Sequence, residues 1–277
     1  MRCKSRRRNK LIIIALVIVA LFTFFSYQNN AITISEIDFT NDKIPEAFNG
    51  YKILHISDLH NKKFGAKQSK ILAKIEKINP DVIVITGDLI DSNRTNMDVA
   101  MDLINGAIDV APIYYVSGNH EAQSGSYNQL KSKLGKAGVV VLDNQKTEVL
   151  RDDTSIEIIG LSDILFNGDS PTGNLLNTLV KNNNNFKILL SHRPELFEIY
   201  SNSKADLVFS GHAHGGQFRI PFVGGLIAPD QGFFPELTEG IHTSNDTSIV
   251  ISRGLGNSII PVRIFNRPEL IVVTLSR

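Results

Sequence analysis

Residues 51–277 alternate short apolar runs with amphipathic stretches, which is the pattern of an α/β sandwich with mixed sheets. Two further features accompany it: an uncharged apolar run behind a basic N-terminus, and five blocks of metal-binding side chains, each a few residues after an expected strand. At 277 residues the chain is long enough for a substantial core.

Taken from the N-terminus, Arg2, Lys4, Arg6, Arg7, Arg8 and Lys10 come first, and residues 11–25 follow with Thr23 as their only polar member. Counted to Tyr27 at about 1.5 Å per residue, this helix reaches about 25 Å, the short end of a bilayer span. Residues 26–30 offer no small-x-small cleavage pattern, so 11–27 is expected to be an uncleaved anchor, ahead of a cleaved signal or a buried core helix. Residues 1–10 then stay cytoplasmic, and the rest of a single-pass protein lies on the extracytoplasmic side of the cell membrane. Residues 28–50 are expected as a membrane-proximal strand region and 51–277 as the catalytic domain.

Within 51–277, residues 52–57, 82–86, 113–117, 139–142, 156–161, 187–191 and 207–210 read as short buried strands. Residues 69–78 carry Ile71, Leu72, Ile75 and Ile78 at helical spacing, and 97–107 and 127–136 are similar. Strands return at 248–252, 262–265 and 270–275, and the asparagine run 182–185 reads as a turn between helix and strand. The single cysteine, Cys3, precedes the apolar run, so a disulfide framework and a thiolate metal site are both excluded from the folded part. Net charge is +1, and no basic stripe interleaved with aromatics follows residue 27, so no nucleic acid is expected as a ligand. No protein partner is predicted.

The five blocks are Asp58-Leu59-His60, Gly87-Asp88-Leu89-Ile90-Asp91, Gly118-Asn119-His120-Glu121, Ser191-His192 and Gly211-His212-Ala213-His214; they use five of the seven histidines. Ligands in open α/β sheets gather beyond the carboxyl ends of the strands, so the blocks share one edge and one site. Asp58 and His60 lie two apart, as at a strand tip aimed at one ion. Asp88 has two oxygens and can bridge two ions, and Gly87 before it lets backbone and metal approach. Asn119 offers an amide oxygen, and His192, His212 and His214 offer imidazoles. Nitrogen and oxygen donors without sulfur suit manganese first, and iron or zinc. His55 falls in a buried strand and reads as a core histidine; His242 has no visible partner. Glu121 reads as a capping or outer group. Arg193 follows a ligand and could meet a phosphate oxygen, or could open a helix with Pro194 and Glu195. For Asp91 the residues alone leave a helix N-cap before 92–96 open.

This series of blocks resembles the calcineurin-like metallophosphoesterase superfamily over residues 51 to about 217. The resemblance implies a four-layer sandwich of two mixed sheets flanked by helices. It also implies a first metal on Asp58, His60, Asp88 and His214, and a second on Asp88, Asn119, His192 and His212. His120 would donate a proton or a hydrogen bond to the phosphoryl or leaving oxygen, Asp91 would orient it, and a metal-bridging hydroxide would attack phosphorus in line. Ser92-Asn93 stand where protein Ser/Thr phosphatases carry Arg-Gly, which argues against that branch. The tail segments 252–257 and 261–269 are similar to a bacterial branch of membrane-associated metallophosphoesterases. That branch includes cell-wall-associated enzymes and relatives that cleave the pyrophosphate of a UDP-linked acylated sugar.

The expected activity is thus phosphodiester, pyrophosphate or phosphomonoester hydrolysis, extending to lipid- or envelope-linked phosphates. The rival readings are a non-catalytic scaffold on the same fold and a metal carrier or sensor. Relatives that act as scaffolds have lost several ligands and this chain has lost none. Residues 218–235 hold Phe222, Val223, Leu226, Ile227, Phe233 and Phe234, broken by Pro221, Gly224, Gly225, Pro229 and Gly232. Such a loop beside a site could be a lid, dip into lipid, or fold onto its own core.

Overall fold

The structure, a computed structural model, describes residues 2–168, 170–180, 183–257 and 260–277. Its layers follow from strands that are apolar on both faces. In β3 (Val82–Thr86) every residue is buried: Ile83 and Ile85 face one core, and Val82 and Val84 face another. That alternation is the period of two of a strand covered on both sides. β2 (Lys52–Ile56), β3, β4 (Ile113–Val116) and β5 (Val140–Val141) run parallel. β16 (Glu269–Ser276) pairs antiparallel with β2, and β1 (Thr33–Thr40) pairs parallel with β16, giving the order β1-β16-β2-β3-β4-β5.

The second sheet is built the same way from β6 (Gln145–Arg151), β7 (Thr154–Gly160), β8 (Lys187–Leu190), β9 (Leu207–Ser210), β14 (Gly240–Ser244) and β15 (Thr247–Ile251). Its order is β14-β15-β9-β8-β7-β6, with antiparallel pairs at the two ends and parallel pairs between. The sheets stack through Ile53, Val84, Ile271 and Val273 against Ile188, Leu190, Phe209 and Val250. Helices α2 (Ser69–Ile78), α3 (Met97–Ala107) and α5 (Tyr127–Lys136) cover the first sheet with Ile71, Leu103 and Leu130. Their bounds are those expected from spacing. On the far side α6 (Thr172–Leu179) and α7 (Phe197–Ser201) cover the second sheet with Leu176, Phe197 and Tyr200. Two mixed sheets between helical layers are the four-layer sandwich.

Two expectations need correcting. The strand expected within 28–50 is present as β1, but residues 28–30 end helix α1 and the rest joins the sandwich: β1 is an edge strand of the first sheet, and Phe39, Ile44 and Phe48 are buried in the core between the sheets. Residues 262–265 form no strand, only a single bridge from Ile264 to Phe218, because Arg263 turns inward to donate to the carbonyls of Arg253, Gly256 and Asn266. Asn182 lies outside the described residues; beside it Asn183 Nδ2 donates to Glu157 Oε1 at 2.6 Å.

The N-terminal helix α1 (Arg2–Asn30) runs three residues past Tyr27. Its 24 residues from Arg7 to Asn30 are long and apolar enough to cross a membrane, about 36 Å at 1.5 Å per residue. Leu11, Leu16 and Phe22 stand exposed, and Thr23 Oγ1 is satisfied by Val19 O at 2.8 Å. The helix end is tied down: Arg267 donates to Tyr27 Oη at 2.7 Å, Asn257 Nδ2 to Asn29 Oδ1 at 3.2 Å, and Lys62 Nζ to Asn29 O.

Candidate metal centre

Five strands deliver the five blocks. β2 leads to Asp58 and His60, β3 to Asp88, and β4 to α4 (Asn119–Gln123), whose first residues are Asn119 and His120. β8 leads to His192, and β9 to His212 and His214. The first three strands belong to one sheet and the last two to the other, so the site sits where the carboxyl edges of both sheets meet. Asp58, His60, Asp88, His212 and His214 all have positive φ, between +46° and +63°. Such residues cost on the order of 1–3 kcal/mol each and collect at functional sites. The loops also touch closely: a Cβ on Gly87 (φ +88°) would lie 2.5 Å from Gly118 N, and one on Gly211 would lie 2.3 Å from Asp58 Oδ2.

The side chains form two buried clusters, Asp58 with His60 and His214, and Asp88 with His192 and His212; within each, the donor atoms lie within 4.8 Å of one another. In the first, His214 Nε2 is 3.1 Å from His60 Nε2 and 3.4 Å from Asp58 Oδ1. In the second, His192 Nε2 is 3.1 Å from His212 Nδ1 and 3.0 Å from Asn119 Oδ1. One atom joins them: Asp88 Oδ2 is 3.4 Å from His60 Nε2 and 3.3 Å from His192 Nε2. All seven expected ligands are therefore brought together, with Asp88 in the middle.

Whether cations fit can be tested on the protons. His192 Nδ1–H donates to Thr86 O at 2.7 Å, and His212 Nε2–H donates to Asp230 Oδ2 at 3.2 Å. These contacts assign the tautomers and leave two lone pairs facing each other across 3.1 Å. Lone pairs at that distance repel unless a cation or a proton lies between them. Electrostatics point the same way. Burial would raise Asp58, but the neighbouring imidazoles of His214, His60 and His192 hold it well below the usual carboxylate range. Burial would lower His192, yet Asp88 and Asp58 push it up to about 10. His60 is also raised, against burial, by Asp58, whose Oδ1 lies 3.8 Å from its Nε2, and by Asp88. Each cluster thus sets buried carboxylate charge against imidazoles, a charge that bound cations would also balance. The donor set fits two cations.

The remaining expected residues fare differently. His120 stands edge-on to His60 with ring centroids 4.4 Å apart, and Ser92 N–H donates to its Nδ1 at 3.0 Å. That contact keeps the His120 proton on Nε2. Asp91 Oδ2 is 3.8 Å from His120 Nδ1, beyond hydrogen-bonding reach, while Asp91 Oδ1 accepts Asn93 N–H at 3.0 Å and Arg94 N–H at 2.9 Å. The geometry is that of a turn cap. Arg193, expected against a phosphate oxygen, is buried and otherwise engaged: Nε donates to Asp163 at 2.7 Å, and Nη1 donates to Asp230 at 2.7 Å and Glu195 at 3.3 Å. Its fork is spent on three carboxylates, one of which is the partner of His212.

Several supporting groups carry no sequence signal. Asp230 lies 18 residues beyond His212 in an apolar loop. Glu121 was visible only as an outer group; it is buried and accepts from Asp88 N at 2.7 Å, Gly118 N at 2.8 Å and Ile90 N at 3.2 Å. It binds the Asp88 and Asn119 loops together, and burial, then Asp88, push its carboxyl up to about 7. The tail segment braces the Asp58 loop, with Leu255 N donating to Ser57 O at 3.1 Å and Gly256 N to Asp58 O at 2.5 Å. His55 is a core histidine: its Nε2 lies 2.8 Å from Thr86 Oγ1, and burial drives it down to about 3.

A cavity of about 240 Å³ opens onto Asp88, Asn119, His120, His212, His214 and Pro229. Beside it a cavity of about 690 Å³ is lined by His60, Asp91, His120, Arg94, Asn257 and Pro261. The loop 218–235 forms two small hairpins, β10 (Arg219–Ile220) with β11 (Gly224–Gly225) and β12 (Ile227–Ala228) with β13 (Gly232–Phe233). Ala228 joins the core, but Phe222, Val223, Phe233 and Phe234 are exposed.

With this geometry goes a match of residues 51–216 to the family model for calcineurin-like phosphoesterase, and the chain belongs to that family. It is 32% identical over 240 residues to the uncharacterized metallophosphoesterase YkuE of Bacillus subtilis, covering 84% of this chain and 81% of that one. It is 29% identical over 231 residues to the phosphodiesterase YaeI of Escherichia coli, covering 81% of this chain and 82% of that one. Among solved structures, TT1561 of Thermus thermophilus superposes with a TM-score of 0.51 at 13% identity, covering 74% of this chain and 90% of that one. That last likeness is one of fold. The family and the paired clusters together point to a dinuclear metal site.

Proposed function

We propose that this chain is a dinuclear-metal phosphoesterase. Asp58, His60, Asp88 and His214 would hold one ion, and Asp88, Asn119, His192 and His212 the other. The observation that carries this reading is the position of Asp88 Oδ2, between the two buried clusters at 3.4 and 3.3 Å from their nearest imidazole nitrogens. When bound, two such ions supply charge neutralisation for the phosphoryl oxygens and a water acidic enough to ionise near neutral pH. The nitrogen and oxygen donors favour manganese, with iron or zinc as the other fits.

His120 presents an Nε2–H beside the cleft, with Nδ1 occupied by Ser92 N–H. Its role is to donate a hydrogen bond to a phosphoryl or leaving oxygen. Asp91 is a positioning residue: it caps the turn that carries Ser92, and Ser92 fixes the His120 ring. Thr86 O and Asp230 do the same for His192 and His212, holding each imidazole in the tautomer a ligand needs.

The substrate class is a phosphodiester or pyrophosphate before a monoester, which the phosphodiesterase relative supports. An envelope- or lipid-linked phosphate is the finer reading, supported by α1 and by exposed Phe233 and Phe234 near Pro229 at the cleft. The basic N-terminus supports a topology with residues 28–277 outside the cytoplasm, and protease shaving of intact cells checks that side. The function is tested by metal analysis of the manganese-loaded protein together with hydrolysis of a bis-aryl phosphate. A panel of monoesters, cyclic and linear diesters and nucleotide-linked lipids extends the assay. Two bound ions with turnover support the proposal; two bound ions with no turnover on any of them make the chain a scaffold.

A further inference from the structure

The β10–β11 hairpin turns in four residues, Ile220-Pro221-Phe222-Val223, closed by Val223 N–H donating to Ile220 O at 3.0 Å. Proline in the second position and a positive φ in the third are the marks of a type II turn, whose third position belongs to glycine or asparagine. Here Phe222 occupies it at φ +69°, with its side chain fully exposed. A fully exposed aromatic residue in left-handed backbone gains nothing in water. Ile220 and Val223 beside it are exposed as well.

The hairpin is joined to the segment that meets α1. Arg219 N donates to Ile264 O at 3.0 Å, and Ile220, Phe222, Val223 and Phe265 line one open cavity. Phe265, 53% exposed, stacks edge-to-face on Phe24 of α1 with ring centroids 5.8 Å apart. Phe24 lies within the apolar run of α1, about 9 Å before the helix end at Asn30 at 1.5 Å per residue. A helix that buries its apolar run in a bilayer therefore carries Phe265, and the hairpin beside it, to the level of the lipid interface. The contacts of Arg267 with Tyr27 and of Asn257 with Asn29 fix the helix end against the domain, so this placement is not free to swing away.

We propose that the tip of the β10–β11 hairpin, together with Phe265, makes a second contact with the bilayer that α1 spans. It rests on the reading of α1 as a membrane anchor. The contact is coupled to the metal centre: Asn266, next to Phe265, donates from Nδ2 to His214 O at 2.7 Å and to Gln217 O at 2.9 Å. The hairpin itself starts three residues after Gly216. Seating the hairpin in the interface thus sets the wall of the cleft that carries His214 beside the membrane surface, where a phosphoester with an apolar tail would present its head group.

The chain contains no tryptophan, so single indoles report unambiguously. The full-length protein is reconstituted in phosphatidylcholine vesicles as F222W, F265W, F22W within α1, and L150W. Leu150 is 75% exposed on β6, at the sheet end away from the metal centre. Vesicles with brominated acyl chains should quench F22W, F222W and F265W and shift their emission to shorter wavelength, while iodide quenches only L150W. Quenching of F22W by bromine with F222W and F265W open to iodide would overturn the second contact and leave the anchor standing. Iodide quenching of all four would overturn both. A blue shift of F222W without bromine quenching would mean that protein, not lipid, covers the hairpin, and would also overturn the proposal.

Discussion

Asp91 separates two accounts of how His120 is held, and a pair of substitutions decides between them. If the carboxylate acts by charge, its Oδ2 at 3.8 Å from His120 Nδ1 stabilises a protonated ring. At an effective dielectric of about 20, unit charges at that separation interact by about 4 kcal/mol, or roughly a thousandfold in rate. Both Asp91→Asn and Asp91→Ala would then lose that much. If instead Asp91 acts as the cap of the Ser92 turn, Asp91→Asn keeps an oxygen for the N–H groups of Asn93 and Arg94. Asparagine and aspartate are near-equal caps, so its kcat should stay within about threefold of the parent. Asp91→Ala removes the cap, worth about 1 kcal/mol, and loosens the Ser92 N–H on His120, worth about as much again; for about 2 kcal/mol together, kcat should fall about thirtyfold. The assay is kcat and KM on a bis-aryl phosphate with manganese, with metal content measured on the same samples. Equal losses near a thousandfold for both variants, with metal retained, would refute the cap account.

Three further outcomes follow from the same geometry. Asp88→Asn should lower metal content along with rate, because one oxygen serves both clusters, whereas His120→Ala should keep both ions and lose mainly turnover; elemental analysis showing an ion missing from His120→Ala would make it a ligand. Gly211→Ala should abolish metal binding while far-UV circular dichroism stays unchanged, since its Cβ would lie 2.3 Å from Asp58 Oδ2; full occupancy would refute that close approach. His192 is raised to about 10 in the metal-free pocket but must be neutral as a ligand, so binding near pH 7 releases its proton. Apparent affinity should then fall about tenfold per pH unit on acidification, and calorimetry in buffers of different ionisation enthalpy should register the release. Binding with no proton release would place His192 outside the ligand set.

How much of this was legible in the sequence depends on where each element sits in the layers. Central strands are buried on both faces, so β2, β3, β8 and β9 appear as largely apolar runs whose ends are readable to within a residue or so. Edge strands face water on one side. β6 reads Gln-Lys-Thr-Glu-Val-Leu-Arg and β14 reads Gly-Ile-His-Thr-Ser, polar patterns that protect an edge and resemble loop. Both lie at the ends of the second sheet, and both escape a hydrophobicity argument. The segment 262–265 errs the other way, since its apolar residues are only partly covered or exposed and gain no partner strand, while Arg263 ties up the backbone nearby.

The metal centre was more legible than its supports for a related reason. A ligand must be one of a few residue types next to a strand end, which leaves a pattern in the sequence. A supporting group has only to reach, and Asp230 reaches His212 from the turn of a hairpin whose course no local pattern fixes. The same freedom explains Arg193. Adjacent to His192, it looked placed for phosphate, but the fold supplies Asp163, Asp230 and Glu195 around it, and a buried guanidinium goes where carboxylates are. Its removal should therefore act on His212 through Asp230, not on substrate affinity. Arg193→Lys, which keeps charge but not the fork, is the variant that makes the distinction: metal retention should drop while KM, measured at saturating manganese, stays put.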